Sequence, residues 1–216
     1  QEFQLHEALR PRLVQVTDPQ GGVTRYTYDA AGNLTTTTLP NGITETYTYD
    51  TLNRLIAIVA RNGGGATISG FSYTLDVNGN RTREDDADGS HRVYTYDALN
   101  RVTSEEHFDS SGVSTGAETY SYDAVGNVTA RSGTLLGNAT FSYNGNNQLV
   151  SGAGSTYIYD AAGNLVSVTD SAGNTHAYGY DSRNNQVFHR DASGNVTRVA
   201  FDGIDRAIET ARVLTD

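Results

Sequence analysis

Three stretches of this sequence carry side chains of the kind that act on a substrate or hold an ion. Gly112-Val113-Ser114-Thr115-Gly116 has the Gly-x-Ser-x-Gly spelling of a nucleophile elbow. In that motif a serine sits on a tight strand-to-helix turn and is served by an acid and a histidine further along. Asp76-x-Asn78-x-Asn80 and Glu84-Asp85-Asp86-Ala87-Asp88 offer the clustered oxygens that Ca²⁺ prefers. His6, His91, His107, His176 and His189 supply imidazoles.

The context of each stretch argues for a plainer role. Ser114 lies in a Gly/Ser-rich stretch between two strand-like segments, with no helical pattern after it. The Asp76 stretch has neither the glycine at position six nor the glutamate at position twelve of a calcium loop. The 84–88 run reads as an acidic solvated loop, with calcium binding left as a question for titration. The histidines share no two- or four-residue spacing, which disfavours zinc, and with no cysteine there is neither a thiolate nucleophile nor a thiolate metal site. No catalytic, cofactor-binding or metal-binding residue is therefore assigned and no cofactor is expected. An enzyme is the class with the least support.

The elements that would position such groups are set by a repeated phrase, Tyr-x-Tyr-Asp-x-x-Gly-Asn, which contains all fourteen tyrosines. It is clearest at Tyr26, Tyr28, Asp29, Gly32 and Asn33. Its fourth position recurs at Asp50, Asp76, Asp97, Asp123, Asn144, Asp160, Asp181 and Asp202, at intervals of 21, 26, 21, 26, 21, 16, 21 and 21 residues. Fixed periodicity of this kind marks a repeat architecture. Two tyrosines at i and i+2 leave a strand on one face, and the residue between them is small or slender, from Thr27 and Thr48 to Ser142 and Gly179. The Asp favours an Asx-turn, and the Gly or Asn three positions on tolerates positive φ. That position alternates between Gly and Asn (Gly32, Asn53, Gly79, Asn100, Gly126, Asn147, Gly163, Asn184), and Asp205 closes the series. Odd and even units are therefore expected in different surroundings, on a two-sided object with alternating hairpins.

A second set of turns, such as Asp18-Pro19-Gln20-Gly21 and Asp191-Ala192-Ser193-Gly194, falls about halfway between the first. Each unit then holds two strands, giving about 18 in all, and only Phe3–Leu9 hints at helical periodicity. The predicted fold is all-β, with tandem antiparallel hairpins forming a continuous spiralling sheet. Its core is expected in stacked tyrosine rows, with Arg25, Arg54 and Arg101 covering ring edges.

The net charge of −10 disfavours nucleic acid and anionic membranes as partners, and no apolar run reaches membrane-spanning length. All 15 basic residues are arginine. Four of the five Asn-x-Thr sequons, at Asn33, Asn80, Asn127 and Asn195 but not Asn138, follow from the Gly-Asn-x-Thr wording and carry little information on glycosylation. A chain that starts at Gln1 without Met is expected to be a processed or excised piece.

The phrase, joined to stretches such as Leu13-Val14-Gln15-Val16-Thr17-Asp18-Pro19, resembles the YD-repeat or Rhs family. The resemblance covers nearly all of residues 13–210 as about nine units, with 1–12 as a lead-in and 211–216 as a tail. It implies sheets that spiral into hollow shells, as in bacterial polymorphic toxins, insecticidal toxin complexes and teneurins. In the toxins the shell encloses a C-terminal toxic domain. The resemblance thus implies a non-enzymatic wall that encloses or displays another polypeptide, in a secreted or surface-displayed bacterial protein. The carboxyl end lacks the Asp-Pro core segment of many relatives, so self-cleavage is not carried over. Nine units are few for a closed shell. Open strand edges make end-to-end self-assembly into a fibre the alternative, and a glycan-binding or adhesive surface is a third reading.

Overall fold

The computed structural model describes residues 2–6 and 12–214. Among these there are twenty strands. Contacts divide the chain into two units, Gln1–Thr119 and Tyr120–Asp216, with the division inside one strand, β11. The first unit runs β1 (Glu2–His6), β2 (Arg12–Thr17), β3 (Val23–Tyr28), β4 (Leu34–Thr38), β5 (Thr44–Tyr49), β6 (Leu55–Arg61), β7 (Thr67–Leu75), β8 (Arg81–Asp86), β9 (His91–Tyr96), β10 (Val102–Phe108) and β11 (Ser114–Tyr122). The second runs β12 (Val128–Gly133), β13 (Ala139–Tyr143), β14 (Leu149–Gly152), β15 (Ser155–Tyr159), β16 (Leu165–Thr169), β17 (Thr175–Tyr180), β18 (Gln186–Arg190), β19 (Val196–Phe201) and β20 (Ala207–Val213).

Within each unit every strand pairs antiparallel with the next, as Thr36↔Thr46 and Thr46↔Val59 illustrate for β4, β5 and β6. Such a meander puts alternate turns on opposite edges. All the Tyr-Asp turns of a unit therefore share one edge, and the halfway turns share the other. This corrects the expected two-sided alternation: odd and even units are neighbours along one edge. The stretch 2–6 forms β1, so the helical hint at its start is overridden; residues 7–9 of that stretch lie outside the described part.

Most turns on both edges share one hairpin. In the Tyr-Asp turn, Asp29 N–H donates to Asn33 O at 3.0 Å and Gly32 N–H to Asp29 O at 3.1 Å. The halfway turn repeats this, with Asp18 N–H to Gly22 O at 2.9 Å and Gly21 N–H to Asp18 O at 3.0 Å. Asn53, Asn100, Asn147, Asn184 and Asp205 hold φ between 59° and 65°, the left-handed value that their sequence positions predict. The register slips by one residue before the second tyrosine, as between Thr27 and Tyr28 and between Thr48 and Tyr49. These are β-bulges beside the turn.

The uneven intervals are differences in strand length. Where the interval is 26, the hairpins β6–β7 and β10–β11 each have strands of 7 and 9 residues. The interval of 16 arises because β14 has 4 residues and joins β15 through Ala153 (φ 50°) and Gly154 (φ 84°). Two consecutive positive φ values make the two-residue turn that matches strand twist.

The tyrosine face is the more buried one. Tyr26 and Tyr28 are half-buried while Thr27 between them is exposed, and Tyr47, Thr48 and Tyr49 repeat this. No tyrosine is fully buried, which corrects the expected core. The buried side chains on this face are Ala60, Thr37, Glu84 and Glu118, of which Thr37 stands opposite Tyr26 and Glu84 opposite Tyr73. The rings cover the short and polar residues between them and keep their own outer surface open.

Candidate functional site

The residues that act together in this molecule are those of the Tyr-Asp turns. In each turn one carboxylate oxygen accepts main-chain N–H groups and the other accepts the side chain four positions on. Asp29 Oδ1 accepts Gly32 N (2.7 Å) and Asn33 N (2.8 Å), and Asn33 Nδ2 donates to Asp29 Oδ2 at 2.9 Å. Arg54 does the same through Nε to Asp50 Oδ2 at 2.7 Å, and Arg206 repeats it on Asp202. The Asn33 side chain, followed by main-chain N–H groups, holds the Asp29 carboxyl below its ordinary value. For Asp50 and Asp97 the leading cause is the main-chain N–H of Arg54 and Arg101, with burial opposing it. Asn144 replaces the aspartate in one turn, and there the polarity inverts: Asn144 Nδ2 donates to Gln148 Oε1 at 2.8 Å.

The fourth side chain also reaches the next turn along the edge. In the first unit Asn33 Nδ2 donates to Asn53 Oδ1 (2.9 Å), Arg54 Nη1 to Asp76 O (2.8 Å) and Asn80 Nδ2 to Asn100 Oδ1 (2.8 Å). In the second, Gln148 Nε2 donates to Gly163 O (3.1 Å), Asn164 Nδ2 to Asn184 Oδ1 (2.9 Å) and Asn185 Nδ2 to Asp205 Oδ1 (2.8 Å). The alternation of Gly and Asn now has a cause. A short donor meets an Asn or Asp side chain. A long donor meets a glycine: a β-carbon there would lie 3.3 Å from Gln148 Nε2 at Gly163 and 3.9 Å from Arg54 Nη1 at Gly79, and at Gly32 it would meet the flexible tip of Arg12.

In six phrases the second tyrosine fastens the same edge. Its hydroxyl donates to the carbonyl at the start of the preceding strand: Tyr28 to Leu13 (2.8 Å), Tyr49 to Leu34 (2.9 Å), Tyr96 to Arg81 (2.7 Å), Tyr143 to Val128 (2.9 Å), Tyr159 to Leu149 (3.0 Å) and Tyr180 to Leu165 (3.0 Å). These bonds close the end of each strand pair that lies away from its own hairpin turn. Burial leads in raising the Tyr96 and Tyr180 hydroxyls above their usual range. The guanidinium groups of Arg12, Arg81 and Arg198 lie over Tyr28, Tyr73 and Phe188 at 5.6, 3.9 and 5.3 Å. The expected ring cover by Arg54 gives way to its place on the turn carboxylate and carbonyl.

A charged strip crosses the tyrosine face of the first unit. Glu84, 5% exposed, accepts Arg92 Nη1 at 2.6 Å and is also bonded by Arg81 Nη1. Glu105 bonds His107 and stands in register with Tyr94 on one side and Glu118, 1% exposed, on the other. Residues 84–86 are strand, which corrects the loop expectation: alternation turns Glu84 inward, and Asp85 pairs on the other face with Arg83 at 2.6–3.0 Å. Asp76 spends its carboxylate on Asn78 N, Asn80 N and Asn80 Nδ2. Among the described residues no three of His, Cys, Asp or Glu converge as an ion site.

Ser114 opens β11 opposite Phe108, in a strand–turn–strand setting. A nucleophile elbow needs a helix there. The hairpin β17–β18 brings together two histidines that sequence spacing kept apart. His176 Nδ1 lies 3.1 Å from His189 Nε2, with ring planes 9° apart and centroids at 5.4 Å, so the rings meet edge to edge. His91 stacks on Phe108 at 4.5 Å. Cross-strand register was the signal for both pairs, and it is not available without the hairpin lengths.

The sequence pattern described as RHS Repeat matches residues 12–44, 28–66, 76–108 and 159–196, which together span more than half of the chain. No curated protein matches the chain in sequence. Among solved structures, a chain of the Photorhabdus luminescens Tc holotoxin pore is 16% identical with a TM-score of 0.51, over 95% of this chain and 14% of that one. A chain of the TcdB2–TccC3 complex is 16% identical with a TM-score of 0.50, over 94% of this chain and 15% of that one. The likeness is one of fold, and this chain spans about a seventh of those chains.

Proposed function

Because the chain belongs to the RHS repeat family, we propose that it is a wall segment of a secreted bacterial shell that encloses or displays another polypeptide. The observation that carries this reading is the turn ladder. Its side chains are committed to joining one hairpin to the next, as a laterally extended structure requires. The reading assigns no catalytic step to the chain. Its partners are the neighbouring repeats and a cargo polypeptide, and its place is outside the cell or on its surface. The fold shared with chains of a Tc holotoxin pore and of TcdB2–TccC3 supports it. The test is electron microscopy of the secreted parent protein. A closed cavity with polypeptide density inside is expected, and an open sheet with no enclosed chain would sink the proposal.

A fibre subunit, joined through unpaired strand edges, is the second reading. Filaments that appear with rising concentration of the purified chain would establish it. Discrete particles at every concentration would return the account to the wall.

A further inference from the structure

Polar side chains that face each other across this sheet pair acid with base, as Glu84 with Arg92, or hydroxyl with hydroxyl, as Thr95 with Ser104 and Ser142 with Ser151. The hairpin β17–β18 departs from this. It brings His176 Nδ1 to 3.1 Å from His189 Nε2, two residues that lie 13 apart in sequence. The ring planes differ by 9° with centroids 5.4 Å apart, so the two nitrogens face each other. Register puts both on the tyrosine face, since His189 stands opposite Tyr178 and Thr197, and His176 opposite Val168. Both rings are half-buried, and Tyr178 stacks on His189 at 5.0 Å. The arginines of β18 and β19 lie on the other face, where Arg190 stands opposite Ala177 and Arg198 covers Phe188. Arg212 shares the histidine face but is one strand further, opposite Thr197. Asp170 and Asp191, the aspartates of the flanking turns, spend their carboxylates on those turns.

We propose that this pair is a site for a divalent transition-metal ion, Cu²⁺ ahead of Ni²⁺ or Zn²⁺, with His176 Nδ1 and His189 Nε2 as its protein ligands. Two nitrogens held at about 2.0–2.1 Å by one ion stand about 2.9 Å apart at a right angle and about 3.3 Å apart in a tetrahedron. The observed 3.1 Å falls between the two. Without an ion, one nitrogen donates a proton and the other accepts it. With the ion, that proton resides on the far nitrogen of its own ring, so two neutral imidazoles bind without net proton release. Each ring tilts to bring its lone pair onto the ion, and the open outer surface of the tyrosine face gives it room. Imidazole ligands without carboxylate or thiolate select Cu²⁺, Ni²⁺ and Zn²⁺ over Ca²⁺ and Mg²⁺, and Cu²⁺ binds them most tightly. Water fills the remaining positions. The ion ties β17 to β18 at the end of the hairpin away from its own turn, on the edge where the turn aspartates serve their own turns. On the opposite edge the Tyr180 hydroxyl makes the corresponding tie, to Leu165 O. The site is independent of what the sheet encloses.

The test is calorimetric titration of the full chain with CuCl₂ at about pH 7, repeated with NiCl₂, ZnCl₂ and CaCl₂. A single Cu²⁺ should bind per chain, Ni²⁺ and Zn²⁺ more weakly, and Ca²⁺ without heat. Amide exchange in β17 and β18 should slow by about tenfold with Cu²⁺. His176→Ala and His189→Gln should each weaken Cu²⁺ binding by about tenfold or more, the loss that even an outer partner of a metal ligand brings. His189→Gln keeps a polar side chain in the hairpin, so weakened binding there reports the ligand rather than the fold. His91→Ala and His107→Ala should leave the affinity unchanged. Acidification to about pH 5 should lower it, because protons compete for both nitrogens. A parent chain that does not bind Cu²⁺ would overturn the site. Cu²⁺ binding that survives both His176→Ala and His189→Gln, or that leaves exchange in β17 and β18 unchanged, would place the ion elsewhere and overturn it as well. Ca²⁺ binding as tight as Cu²⁺ binding would contradict the imidazole ligands.

Discussion

Within each unit the two edges share one main-chain hairpin at most of their turns and differ in what joins one turn to the next. Along the Tyr-Asp edge, side chains cross from turn to turn and tyrosine hydroxyls reach the neighbouring strand. Along the other edge, Asp18, Asp109, Asp170 and Asp191 direct their carboxylates to main-chain N–H groups of their own turns. The first edge keeps one turn length from Asp29 to Arg206. The second keeps that turn at Asp18, Leu39, Asn62, Asp86, Asp109, Asp170 and Asp191 but shortens to the two residues Ala153–Gly154 between β14 and β15, and its strands are longest at β6–β7 and β10–β11. Coupling between turns fixes length and residue type, and where coupling is weak the chain is free to vary.

The largest effect expected from breaking this contrast is at Tyr96. Tyr96→Ala removes a half-buried ring and its bond to Arg81 O, for a loss of about 3 kcal/mol by thermal or urea unfolding. Thr95→Ala, on the exposed face beside it, should cost about 0.5 kcal/mol or less. A parent-like melting temperature for Tyr96→Ala would show that the ring is not part of what holds the sheet. Next come two glycines with comparable backbone strain. Gly32 (φ 100°) and Gly112 (φ 78°) both lie in the left-handed region, so alanine at either should cost about 1–2 kcal/mol. Only at Gly32 does the new β-carbon also meet a neighbour, the tip of the Arg12 guanidinium over Tyr28, which must swing aside, so Gly32→Ala should be slightly the more damaging of the two. Equal losses would show that Arg12 yields to the new β-carbon without cost.

Tyr49→Phe should cost about 1 kcal/mol, since it leaves the ring and deletes one hydrogen bond to Leu34 O. Acid should act last and most gently. The turn aspartates are held below their ordinary 3.8, Asp29 by the Asn33 side chain first and Asp97 by the Arg101 main-chain N–H first. A lowered folded value means that their contribution is complete above 3.8 and fades as pH falls below it. Stability should therefore decline below about pH 4. The Asn144 turn has no carboxylate to protonate, so its amides should keep their relative protection at pH 3 better than those of the Asp123 turn.

Much of this was legible in the sequence because turn chemistry is local. The alternation around each tyrosine, the Asp that caps the turn and the left-handed Gly, Asn or Asp all lie within eight residues, and each was found where expected. What was misread depended on the partner strand. The sequence spacing of Asn33 and Arg54 does not reveal that the two turns stand on one edge, nor that a main-chain carbonyl, which has no residue signature, receives Arg54. The run at Glu84 looked like a loop by its charge, yet strand alternation and arginines from two positions bury its first carboxylate. The strand count of twenty exceeds the expected eighteen, and the added β1 lies in the segment first read as helical.

The central claim is that consecutive turns are energetically coupled through their side chains. The most direct test is a double-mutant cycle on Asn80 and Asn100, joined by Nδ2 to Oδ1 at 2.8 Å. The predicted result for Asn80→Ala and Asn100→Gly is a coupling energy of about 0.5–1 kcal/mol, with the second substitution costing less once the first is made. Strict additivity of the two losses would mean that the turns stand independently, and the ladder would then be geometry without energy.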